Sequence, residues 1–71
     1  MTGKELIRKL RKMARRIGIE FYVEADRGKG DHQTIFWAGR LAVLPGLGEI
    51  KIGTLHGILK DLGIRLDDLR R

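Results

Sequence analysis

The hydrophobic period changes at Gly18, and that change constrains which elements the chain can build. Ahead of it, Leu6, Leu10, Met13 and Ile17 recur at helical spacing, flanked by Ile7 and Ala14. Such a stripe predicts an amphipathic helix over residues 3–17. Thr2 and Glu5 stand at capping-box spacing at its start, and Gly18 is a natural C-terminal stop because it tolerates positive φ. Behind Gly18 the period falls to two. Ile19, Phe21, Val23 and Ala25 alternate with Glu20, Tyr22 and Glu24, the pattern of a half-buried strand over 19–25.

Residues 26–31 (DRGKGD) form a polar connection. Residues 32–37 (HQTIFW) read as a second strand, with Gln33, Ile35 and Trp37 opposite His32, Thr34 and Phe36. Ala38-Gly39 makes a tight turn into a third strand over 40–44, which Pro45 ends because it lacks the amide that a ladder needs. After a loop over 45–51, a second helix is expected over 54–62, with Thr54 as its N-cap and Gly63 as its C-terminal cap. Leu55, Ile58, Leu59 and Leu62 form its buried stripe. Gly57, costly inside a helix, suggests close packing there. Leu66 and Leu69 in the tail allow one further turn.

The expected fold is therefore α+β: one domain over 1–71, ordered α-β-β-β-α, with a three-stranded antiparallel sheet and both helices packed on one face. The chain has no third layer for the opposite face, where Tyr22 and Phe36 fall.

Composition narrows the function classes. A chain of 71 residues has room for one small core and no deep closed pocket. Cysteine is absent, which excludes disulfides and thiolate metal sites. The formal charge is +6, and residues 1–18 account for all of it, with seven basic side chains against Glu5; residues 19–71 hold eight of each sign. A surplus confined to one helix favours a polyanionic partner, the alternative being a solvated helix face. No signal peptide or apolar run long enough to span a membrane is present, so a soluble cytoplasmic protein with no membrane association is expected.

Histidine can exchange a proton near neutral pH, which suits it to general acid–base work. Of the two in this chain, His32 opens the second strand behind Gly30-Asp31, with Arg27 and Lys29 close by to hold a phosphate. His56 falls within the second helix and reads as a surface residue. No pair has zinc-site spacing and no glycine-rich loop runs into Lys-Ser/Thr, so neither a metal nor a small-molecule cofactor is expected.

Gly30-Asp31-His32 resembles the Gly-Ser/Asp-His segment of the HicA-like (YcfA-like) toxin family. Gly53-Thr54-Leu55, followed by Ile58-Leu59-Lys60 and Gly63-Ile64, resembles that family's second-helix signature, and Glu5-Leu6-Ile7 with Leu10 matches its first helix. The likeness spans nearly the whole chain. It implies a double-stranded-RNA-binding-like fold and a metal-independent endoribonuclease that cleaves mRNA and is neutralised by a HicB-like antitoxin. The family's catalytic histidine falls on His32, with Gly30 and Asp31 at the supporting motif positions. Lys29 and the first-helix residues Lys4, Arg8, Arg11, Lys12 and Arg15 are then the candidate RNA-binding groups. Two departures stand out. Ile35 occupies a position that is often aromatic, and Pro45 is followed by Gly46-Leu47-Gly48 where many members carry another histidine. A non-catalytic RNA-binding module and a small protein-interaction domain are the competing readings.

Overall fold

A computed structural model describes residues 1–25 and 32–70 of the chain. Its elements run α1 (Gly3–Ile17), β1 (Phe21–Ala25), β2 (Gln33–Trp37), β3 (Arg40–Leu44), α2 (Ile52–Leu62) and α3 (Leu66–Leu69). The three strands form one antiparallel sheet in the order β1-β2-β3. Its register places Phe21 opposite Trp37, which pairs in turn with Arg40, while Tyr22 faces Phe36, which pairs with Leu41.

That register segregates the side chains. Ile35, Trp37, Ala42 and Leu44 are buried on one face, in a single cluster with Leu6, Leu10 and Ala14 of α1 and Leu55, Ile58, Leu59 and Leu62 of α2. The opposite face leaves Tyr22, Leu41 and Val43 exposed. The β2–β3 hairpin closes through Ala38 (φ 48°) and Gly39 (φ 83°), and positive φ at both central residues is what a two-residue hairpin turn of type I′ needs.

Local rules account for α1. The Thr2 hydroxyl accepts from the Glu5 N–H (3.0 Å) and the Glu5 carboxylate accepts from the Thr2 N–H (3.1 Å), so the capping box is complete. Gly18 closes the helix in the left-handed region (φ 72°). Tertiary contacts finish the N-terminus. The Gly3 N–H donates to the Gly48 carbonyl (2.8 Å) and the Lys4 N–H to that of Leu47 (3.2 Å), while the Ile50 N–H donates to the Met1 carbonyl (3.0 Å). The segment after β3, expected only as a loop, thus docks on the first turn of α1. Gly3 makes the approach possible, because a Cβ there would overlap the Gly46 carbonyl oxygen.

Some expectations are corrected. β1 begins at Phe21 rather than residue 19, and β2 at Gln33, leaving His32 just outside the ladder. α2 starts at Ile52, so Lys51 and not Thr54 is its N-cap, with no side-chain hydrogen bond there. Ile50 is buried and tied to Met1, so the chain turns into the helix directly after it. Thr54 therefore lies inside the first turn. Gly57 is exposed, and a Cβ on it would meet nothing within 4 Å, so no close packing requires glycine. The last turn, α3, forms as its leucine spacing suggested, with Leu69 buried against the core. No helix among the described residues is long and apolar enough to cross a membrane.

Candidate nucleic-acid interface

The inward face of α1 uses Leu6, Leu10 and Ala14, spaced four residues apart, which leaves its cations to the flanks. Tertiary packing sends these cations to two different places. Lys4, Arg8 and Arg11 line an open groove of about 540 Å³, whose other walls are Ile7, Val23 of β1, Gln33 of β2 and Leu47. Lys9, Lys12 and Arg16 turn the other way, toward α3, and line a hollow of about 270 Å³ with Asp68, Leu69 and Arg70. The candidate RNA-binding cations of α1 are thus divided: Lys4, Arg8 and Arg11 come together on one groove, and Lys12 lines the other hollow, which Asp68 shares.

The groove continues past Arg11. Beyond it, Arg11 and Arg15 share a second hollow of about 380 Å³ with Ala14, Ile19, Phe21 and Tyr22. The Arg11 guanidinium lies over the Phe21 ring, 5.8 Å from its centroid, within cation–π range. Neither Arg11 nor Arg15 has a carboxylate within ion-pairing distance among the described residues.

Backbone amides contribute nothing to anion binding at the start of α1. Helix N-termini attract phosphate through unsatisfied N–H groups. Here the N–H groups of Thr2, Gly3, Lys4 and Glu5 are taken by Glu5, Gly48, Leu47 and Thr2 respectively. An anion at this end of α1 therefore meets side chains and no free helix amide. The Glu5 carboxyl is held below the ordinary glutamate range, first by the hydrogen bond from the Thr2 backbone, then by the Thr2 hydroxyl, with Arg8 a smaller contributor.

His32 is half-buried and directly precedes Gln33, which lines the basic groove, so its Cα lies about 3.8 Å along the backbone from a groove residue. No hydrogen bond joins it to another described residue. Lys29, Gly30 and Asp31 lie outside the described residues. His56 is exposed on α2 and lines a separate hollow with Leu59, Lys60, Ile64 and Leu66, sharing no residue with the basic groove. Among the described residues no group of three or more histidines and carboxylates is placed to hold a metal ion.

Two features of this surface escaped the sequence reading. One is the contribution of Gln33 and Val23 to the groove; strand alternation put both on the covered face, where the groove runs. The other is Leu47, which reaches the groove because its segment docks on α1. No family model, curated protein or solved structure matches the chain.

Proposed function

We propose that the protein is a metal-independent endoribonuclease of the HicA-like toxin kind, acting on mRNA in the cytoplasm under the control of a HicB-like antitoxin. The finer description of its fold as double-stranded-RNA-binding-like belongs to the same proposal. One observation carries it most: Lys4, Arg8 and Arg11 line a groove whose β2 wall, Gln33, is the residue after His32. A phosphodiester lying against those cations meets the strand end that carries His32, whose backbone is one residue from the groove wall.

RNA supplies its own nucleophile. The 2′-oxygen attacks the adjacent phosphorus, the bond to the 5′-oxygen breaks, and a 2′,3′-cyclic phosphate is left on one fragment. The 2′-hydroxyl proton must leave and the departing 5′-oxygen must gain one; His32 serves one of these transfers. The groove cations offset charge that builds on the phosphoryl oxygens.

A histidine acid–base step contributes about 10²–10⁴-fold. His32→Ala is therefore expected to slow cleavage of a labelled single-stranded RNA by that factor, in buffer containing EDTA, with its unfolding midpoint near that of the parent. Undiminished cleavage by a clean His32→Ala preparation overturns the assignment. RNA binding with no cleavage by the parent protein favours the non-catalytic RNA-binding module, a reading to which Gly46-Leu47-Gly48 after Pro45, where many members of the resembled family carry a histidine, gives weight.

A further inference from the structure

We infer that the hollow walled by Arg11, Arg15, Ile19, Phe21 and Tyr22 is a nucleotide site that takes one unpaired base of the RNA together with its neighbouring phosphate. The inference rests on the RNA reading above and adds to it a place where single strands are told from duplexes.

The chemistry of the walls is divided as a nucleotide is. Arg11 and Arg15 stand one helical turn apart on α1, both exposed, and their guanidinium forks match phosphate oxygens. Phe21 and Tyr22 also line the hollow; they follow each other on β1 and turn their rings to opposite faces of the sheet, so the ring left for a base to stack on is that of Tyr22, at the open edge, while Phe21 carries the Arg11 guanidinium. Among the described residues no carboxylate lines the hollow, although Glu20 lies between Ile19 and Phe21 in the chain. Its volume, about 380 Å³, is within the range of small-ligand sites.

Both rings are held from behind. Phe21 meets Trp37 edge-on, with ring centroids 5.9 Å apart and planes at 72°. Tyr22 is stacked on Phe36 at 4.4 Å and 14°, yet remains 43% exposed. An exposed ring pinned by a neighbour loses little freedom when a base covers it, which is the condition for a strong stacking contact.

Position adds a consequence. Phe21 pairs with Trp37 at one end of β2, and His32 precedes the other end. The hollow is therefore about 15 Å along the strand from His32. A base seated there fixes the register of the RNA relative to the histidine.

The test uses the full chain carrying His32→Ala, so that RNA is not consumed, and measures binding by fluorescence anisotropy. The probes are a short labelled single-stranded RNA and a blunt duplex of the same sequence. Adding Tyr22→Ser is expected to raise the single-strand Kd about 5- to 150-fold. It should leave the duplex Kd and the salt dependence unchanged, and Tyr22→Phe should bind as the parent does. Arg15→Gln should lower the slope of log K against log salt by about 0.7. Independently of any folding defect, single abasic positions walked along the RNA should weaken binding to the parent at one position.

Single-strand binding unaffected by Tyr22→Ser, equal losses for both probes, or indifference to every abasic position overturns the base site. A salt slope that still falls when Arg8 and Arg11 are replaced then leaves the RNA groove standing. Failure of the parent to bind either RNA overturns both.

Discussion

Gly3 and Gly57 are both helical glycines, and their surroundings give them opposite meanings. At Gly3 the helix would gain from alanine by propensity, yet a methyl group would strike the Gly46 carbonyl. Gly3→Ala is expected to lose about 1–3 kcal/mol in urea denaturation, the usual cost of overpacking. At Gly57 the space is open, so Gly57→Ala should gain about 0.5–1 kcal/mol in the same measurement. An unchanged midpoint for the first, or a loss for the second, would contradict these environments. The residue type is visible in the sequence in both cases. Which glycine is needed is not, because the neighbour that decides it is distant in the chain (Gly46) or does not exist.

At the scale of the element, α1 is the part of the molecule that local signals describe most fully. Its bounds, its capping box and its glycine stop follow from residues within one turn of each end, since capping is a contact between near neighbours. The capping box also makes a pH prediction. The Glu5 pKa is lower in the folded state, so its ionised form adds stability above its unfolded value, about 4.3, and that contribution is lost as pH falls through the lowered folded value. Glu5→Gln should therefore narrow the difference in stability between neutral and acidic solution, measured by urea titration at a series of pH values. An identical pH profile for the variant and the parent would contradict it. α2 was less legible at its start. Thr54 is a good N-cap residue by type, but the chain turns at Lys51 because Ile50 is anchored to the core and to Met1, a constraint no local pattern carries.

At the scale of the molecule, the cationic surplus of α1 becomes two surfaces. Counterion release makes RNA affinity salt-dependent, with a slope of about −0.7 per phosphate contacted on a single strand. Replacing Arg8, Arg11 and Arg15 together with glutamine is expected to flatten that slope by about 2. Replacing Lys9 and Lys12 should flatten it by less than 1, since their side of the helix faces α3 and Asp68. Equal effects per charge removed would mean that total charge, and not the groove, binds RNA. Helical spacing alone puts Lys4, Arg8, Arg11 and Arg15 on one stripe and Lys9, Lys12 and Arg16 on another. Only packing showed that one stripe borders β1 and β2 while the other borders α3.

The sequence by itself determined the helix and strand order, the buried stripe of α2, the covered face of β2, the hairpin turn at 38–39 and the concentration of charge on α1; the inward stripe of α1 was legible only in part, since Ile17 is exposed and Ala14 is buried instead. These follow from periodicity, turn chemistry and capping, which act over a few residues. Tertiary structure decided what the elements enclose: the docking of residues 47–50 on the first turn of α1, the groove between its cations and Gln33, and the aromatic hollow at the seam of α1 and β1. Each depends on chain segments that only the burial of a shared core brings together, and a one-dimensional pattern does not specify how two apolar faces meet.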